Sequence, residues 1–392
     1  MNLKTLSIYI HYPFCKSKCP YCDFNSHVKN NINHEAFQNA YLAELEYFAQ
    51  RLKNRQIKTI FFGGGTPSLM PIGLPEKIFN KISKLWNLDK NCEITIEANP
   101  TSFEAEKFKD FKSAGINRLS MGIQALNDND LKFLGREHSA REAISAIETA
   151  SKIFDNYSFD LIYARPSQTI ENWKNELNRA IKLSPNHLSL YQLTIEKGTK
   201  FYGQHKNGEF ILPNEDLSAD LYNLTNQITH DNGLELYEIS NYAKKNHECR
   251  HNLVYWNGDD YIGIGAGAHS RVYLDSDINR SAIIMFHEPS YWLSKVKNEG
   301  IGIQQINQIN KQELLEEIIL MGLRLKDGID NDIFINHFNK NIIEIFDSKK
   351  ILNLQKNNLI EINKKNIKIT DQGRILSNSI ISKLCDAMIY YD

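Results

Sequence analysis

The most pointed chemistry in this 392-residue chain lies in three cysteines. Cys15, Cys19 and Cys22, within CKSKCPYC, stand at a C-x3-C-x2-C spacing. Six cysteines in all are too few to staple a chain of this length, so three of them packed into eight residues point to a metal in a reducing compartment rather than to disulfides. Three thiolates can hold three irons of a [4Fe-4S] cluster and leave the fourth iron open to a small molecule. Structural zinc would want a fourth Cys or His at a second paired spacing, which the nearby His11, His27 and His34 do not supply. Cys92, Cys249 and Cys385 are isolated and read as ordinary buried thiols.

Other residues could shape a site around that loop. Gly63, Gly64 and Gly65 end an apolar run where missing side chains let backbone approach a ligand, and Thr66 adds a hydroxyl; a tight turn before Pro67 would use the same residues. No G-K-[ST] follows them, and the later GIGAGAHS is not G-x-G-x-x-G, so neither is a nucleotide loop, and Gly263, Gly265 and Gly267 read as packing or turn glycines. Glu97 and Gln124 each end an apolar run, and a carboxylate there can bind ribose hydroxyls or an ammonium group. Cys249–Trp256, CRHNLVYW, sets His251 beside aromatic surface. A neutral imidazole can ligate a metal ion, with Cys249 as a competing thiolate. Equally, His251 reads as a satisfied polar residue and Tyr255 and Trp256 as core aromatics.

Elements must position these groups. Runs at 6–14, 59–62, 93–97, 118–123, 158–163 and 187–193 alternate with stretches of helical character, which predicts an α/β fold with a parallel sheet and crossover helices. Such a sheet can close part-way into a TIM-like (β/α)6 barrel, and the cysteines, the glycines and Glu97 then share one mouth; a doubly wound open sheet would serve the same loops. Phe37, Tyr41, Leu45, Phe48 and Leu52 form the apolar stripe of a first helix, and Ser139 with Glu142 forms a capping box for another. From Lys311 the pattern becomes helical, with Leu314, Ile318, Met321 and Leu325 in one helix, 333–346 in a second, a hairpin over 359–370 and a last helix over 375–384. The expected organisation is a barrel over 1–235, a connecting segment with HNLVYW over 236–310, and a C-terminal helical, winged-helix-like domain over 311–392.

Charge narrows the partners. Lys+Arg 46 against Asp+Glu 47 leaves a net charge of -1, and 311–392 carries 12 of each sign, so nucleic acid is not expected as a partner. No apolar run of about 18 residues occurs, and MNLKTLSIYIHYPF lacks a signal-peptide core with a cleavage site; a cytoplasmic protein with at most peripheral membrane contact is expected.

YIHYPFCKSKCPYCDF resembles the radical S-adenosylmethionine (SAM) signature, and specifically the oxygen-independent coproporphyrinogen III oxidase-like family that includes the HemW-type haem chaperones. The resemblance runs on through GGGTPS, TIEANP, GINRLSMGIQ, LGREHS and FDLIYARPSQT to HNLVYW, from Tyr9 to about Arg324. It implies a [4Fe-4S] cluster on Cys15, Cys19 and Cys22 whose open iron binds SAM, which an electron from the cluster cleaves to a radical. It places Tyr9, Gly64, Gly65, Thr66, Glu97, Gln124, Arg136 and Asp160 against SAM, with Tyr21 as the aromatic before the third cysteine. Taken alone, Arg136 and Asp160 would read as surface or ion-pair residues.

Two features divide the family. Its decarboxylating enzymes carry a further cysteine soon after the third and an N-terminal extension over substrate; here Asp23 and Phe24 follow Cys22, and Cys15 lies near the start. HNLVYW matches the haem-chaperone branch, which makes His251 the haem candidate and implies haem or another tetrapyrrole as ligand, respiratory haem proteins as acceptors, and a homodimer as a possible form. Radical decarboxylation of porphyrinogen propionates is the alternative, and a radical enzyme on RNA is disfavoured by the charge balance. Ala164 and Arg165 depart from the glycine and leucine usual in relatives before this proline, a change at the expected cofactor rim.

Overall fold

A computed structural model describes residues 4–183, 186–275 and 277–389. Strands β1 (Lys4–Tyr12), β2 (Arg55–Gly64), β3 (Asn87–Ala98), β4 (Arg118–Gln124), β5 (Asn156–Tyr163) and β6 (His187–Gln192) lie side by side in chain order. Every neighbouring pair among them is parallel. They fall on the six runs the sequence marks. Helices between them, such as His34–Ala49 and Ala140–Ile153, cover the outer face, so Ile8, Ile10, Ile60, Phe62 and Ile96 are fully buried and the strands are apolar along their length.

Local signals act as their chemistry demands. On helix His34–Ala49, Phe37, Tyr41, Leu45 and Phe48 turn inward at three- and four-residue steps. At the start of Ala140–Ile153 the Ser139 side chain accepts from the Glu142 N–H while Glu142 accepts from the Ser139 N–H, closing the capping box.

The barrel stays open, and the sheet is mixed. Beyond β6, β7 (Asn241–Ala243) pairs antiparallel. Beyond β1, β8 (Tyr261–Ile264) pairs parallel, and β9 (His269–Val272), β10 (Arg280–Met285) and β11 (Ile303–Ile309) follow antiparallel. Residues 236–310 therefore extend both flanks of the sheet. One buried acid joins barrel to flank: Glu44 of the first helix accepts from the Gly265 N–H at 2.8 Å, the Gly302 N–H at 3.0 Å and Trp292 Nε1 at 2.9 Å.

The C-terminal segment has its own core around Leu315, Ile319, Phe334, Ile367 and Leu384. Helix Lys311–Gly322 and the hairpin of β12 (Ile360–Ile362) with β13 (Asn366–Ile369) form as expected. The helix expected over 333–346 is broken. Asn331–Phe338 ends at Asn339, whose φ of 53° is left-handed, and Asn341 then starts a single turn, Ile342–Ile345. Asparagine tolerates that conformation and stops the first helix. A further helix, Ser348–Lys356, is started by Asp347, whose carboxylate accepts from the Lys349 N–H. Among the described residues no helix is long and apolar enough to cross a membrane.

Candidate functional site

The C-terminal ends of β2 to β5 open on a cavity of about 440 Å³. Its roof depends on two glycines. Gly64 has a φ of 111°, and a Cβ on Gly65 would stand 2.6 Å from the Phe14 carbonyl oxygen, so only glycine lets the β2 end pass this close beneath the loop after β1. The Gly65 N–H donates to the Tyr12 carbonyl at 2.7 Å and the Thr66 N–H to the Phe14 carbonyl at 2.8 Å, which fixes the cysteine loop over the mouth.

All three clustered cysteines line this cavity. Thr66 Oγ1 donates to Cys15 Sγ at 3.4 Å, Arg136 Nη1 donates to Cys19 Sγ at 3.4 Å, and Cys22 Sγ lies 3.9 Å from Ser26 Oγ. Among the described residues no three His, Cys, Asp or Glu side chains gather around one ion. Ligands of a cluster each take a different iron, so they need not converge, and three thiols with hydrogen-bond donors on their sulfurs suit that role.

Arg136 ties the walls together. Its Nη2 donates to Asn99 Oδ1 at 2.6 Å and to the Gly122 carbonyl at 2.8 Å, while its Nε is buried without a partner. An orphan donor of this kind fits an incoming carboxylate. Gln124 ends β4 in a left-handed conformation, φ 72°, just past an irregular register with β5. Held strain of this kind is found where a side chain must be aimed. His138 bonds through Nε2 to the Ile123 carbonyl at 3.1 Å, and burial, then the Arg136 charge, lowers its pKa to about 4.

Two acids line the cavity, partly exposed to it yet surrounded by protein. Burial first, and then the Asp160 charge, raises Glu97 to about 8; burial raises Asp160 to about 6, against a hydrogen bond from Ser189. Without a cation these carboxyls hold protons well above their ordinary range, and a cationic ligand would restore their charge. Tyr21, Gly64, Gly65, Thr66, Glu97, Gln124, Arg136 and Asp160 all line this space. Asn99, Thr101, Glu104, Ser120, Gly122 and His138 line it too. The sequence does not single these out, although Asn99 and Thr101 directly follow the Glu97 strand.

Tyr9 lies elsewhere. It lines a second cavity of about 440 Å³, on the β8 side, which shares Phe24, Gly64 and Glu97 with the first. Tyr255 and Tyr261 line it as well, so HNLVYW reaches a cavity through Tyr255. His251 does not line it. It is buried, with Nδ1 2.6 Å from Thr59 Oγ1 and Nε2 2.9 Å from Tyr255 Oη, and its ring stacks on Phe61. Burial, and then Arg118, lowers its pKa to about 3. In this conformation both ring nitrogens are taken.

Cys249 is also buried, its thiol directed to Glu93 Oε1 at 3.7 Å and raised by burial to about 12. Cys385, expected to be buried, is half-buried. Arg165 does not reach the cofactor rim: its guanidinium pairs with Glu176 and, at 2.9 Å, with Asp130. Ala164 takes the left-handed conformation, φ 55°, that the usual glycine would adopt without strain.

Residues 9–180 match the model of the radical SAM superfamily, and residues 309–376 match the HemN C-terminal domain. The chain is 37% identical to the heme chaperone HemW of Haemophilus influenzae over 97% of this chain and 98% of that protein. It is 31% identical to the heme chaperone HemW of Bacillus subtilis over 95% and 97%. The chain belongs to the HemW branch of the radical SAM, HemN-like family. Membership carries an implied [4Fe-4S] cluster and SAM, which the three thiols and the paired acids fit. The fold is that of coproporphyrinogen III oxidase from Escherichia coli, with a TM-score of 0.81 at 22% identity over 97% of this chain and 90% of that chain.

Proposed function

We propose that this protein is a haem chaperone of the cytoplasm, a radical SAM-type [4Fe-4S] protein that binds haem and transfers it to respiratory haem proteins. The observation that carries this reading is similarity to HemW proteins of two bacteria that spans 95–97% of this chain and 97–98% of theirs. The likeness to coproporphyrinogen III oxidase speaks for a shared fold, and at 22% identity it does not favour that enzyme's reaction.

Cys15, Cys19 and Cys22 would hold the cluster, which when bound supplies one-electron chemistry and an open iron. The chain's own groups would bind and orient SAM. Glu97 and Asp160 would accept from its cationic and hydroxyl groups, the free Nε of Arg136 would meet its carboxylate, and the glycines would let it lie against backbone. The resemblance gives haem to HNLVYW; the second cavity, to which Tyr255 of that motif contributes, offers the tyrosine surface a tetrapyrrole needs.

The test is a parallel assay of anaerobically reconstituted protein. One sample receives coproporphyrinogen, SAM and a reductant; another is titrated with haem and then mixed with a haem-free respiratory acceptor. Stable haem binding, delivery to the acceptor and no decarboxylated product are expected. Decarboxylation at catalytic turnover would sink the chaperone reading.

A further inference from the structure

Asn99 stands between the hydrogen-bond partners of two cluster thiols. It directly follows β3 and lines the first cavity, and both edges of its side-chain amide are in use. A guanidinium carries only donors, so the edge that meets Arg136 Nη2 at 2.6 Å is the oxygen. The other edge is then the NH2, which donates to Thr66 Oγ1 at 3.4 Å. That donation occupies a lone pair of the hydroxyl and turns its one proton the other way, to Cys15 Sγ at 3.4 Å. Arg136 Nη2 is held by Asn99 and by the Gly122 carbonyl at 2.8 Å, which leaves Nη1 directed at Cys19 Sγ at 3.4 Å. One amide thus sets the direction of two hydrogen bonds, Thr66 to Cys15 and Arg136 to Cys19.

The amide is itself fixed. Pro100 restricts the Asn99 backbone to extended conformations, and the Asn99 N–H donates to Glu104 Oε2 at 2.9 Å. The Glu104 carboxylate is buried and also accepts from Ser68 Oγ and, at 3.5 Å, from Thr101 Oγ1. Donors on a ligand sulfur stabilise the extra electron of a reduced cluster, and polar groups one step behind the ligands keep such donors in line.

We propose that Asn99 is a positioning residue for the cluster: through Thr66 and Arg136 it fixes the hydrogen bonds on Cys15 and Cys19 and so raises the reduction potential. This rests on the [4Fe-4S] assignment to Cys15, Cys19 and Cys22 and extends it to a residue behind those ligands.

The full chain is reconstituted anaerobically with iron and sulfide, without SAM, and its one-electron reduction is followed with a low-potential reductant by electron paramagnetic resonance and visible absorption. Asn99→Ala should move the reduction equilibrium about tenfold toward the oxidised cluster, which is about 59 mV for one electron. Asn99→Asp keeps the shape and the acceptor for Arg136 but cannot donate to Thr66, whose proton then turns to the new carboxylate; its potential should lie at least as low. Should Asn99→Ala fail to load the cluster, Asn99→Asp carries the comparison. Thr66→Val should lower the potential of the parent and have no further effect in the Asn99→Asp protein, where the bond to Cys15 is already lost. A parent-like potential in the Asn99 variants, or an undiminished Thr66→Val shift in the Asn99→Asp protein, overturns the role of Asn99 and leaves the cluster standing. A parent protein that takes up no iron and sulfide overturns the cluster assignment itself.

Discussion

Two cavities of equal volume share Gly64 and Glu97, yet their chemistry differs. The first is built from loops at the ends of parallel strands and presents thiols, an arginine and two acids that titrate above their ordinary range. The second lies where parallel β1 gives way to the antiparallel flank, and it presents imidazoles and phenols. Charged groups converge where many strand ends meet, because each contributes one short loop to a common mouth. The flank contributes groups at a fixed strand spacing, which suits a rigid, nearly neutral plate.

Changes confined to one cavity should separate the two. The largest effect is expected from replacing Cys15, Cys19 and Cys22 together with alanine: the visible absorbance of the cluster and calorimetric binding of SAM should vanish while haem titration is retained. Loss of haem binding in the same variant would show that the cavities act as one site.

Next comes His251→Ala. It removes the partner of the Tyr255 hydroxyl and one of two partners of the buried Thr59 hydroxyl, which still donates to Ser7 Oγ, so thermal or denaturant unfolding should show a loss of about 2 kcal/mol, with haem binding retained. Loss of haem binding at intact stability would assign the ligand role to His251.

A smaller effect concerns pH. Glu97 and Asp160 have folded pKa values raised above their unfolded ones, so the stability they contribute is present below about pH 4 and is lost as pH rises through about 6 for Asp160 and about 8 for Glu97. Glu44 acts in the same direction up to about 7. Between pH 7 and 8 chiefly Glu97 still titrates, so the SAM-free protein should lose about 1 kcal/mol across that interval and Glu97→Gln should flatten it in parallel melts. A variant with the parent slope would refute this account of the first cavity.

The smallest change lies outside both walls. Ala164→Gly relieves a left-handed alanine and should raise unfolding stability by about 0.5 kcal/mol once the extra freedom of unfolded glycine is subtracted.

Much of the first cavity was legible because its signals are local. Six strands buried on both faces leave continuous apolar runs, a capping box occupies four residues, and the cysteines lie within eight. The second cavity depends on pairing between segments far apart in sequence, β1 with β8 and Asn25 with His287, which no local pattern encodes. Thus the resemblance sets Tyr9 with SAM while its side chain lines the neighbouring space, and GIGAGAHS stands out for its glycines and not for His269. His251 shows the same limit: a motif names the residue but not whether its nitrogens are already bonded. At Asn339 the local cue existed, and the hydrophobic period across 333–346 hid the helix stop.

Asn25, three residues beyond Cys22, belongs to the cysteine loop by sequence and to the second cavity by its bonds. One short loop thus brings the thiols to the first cavity and, through the two Asn25 hydrogen bonds, holds together the segments that wall the second. The loop is therefore a shared post: a change at Asn25 should disturb the wall of the second cavity without touching a cysteine.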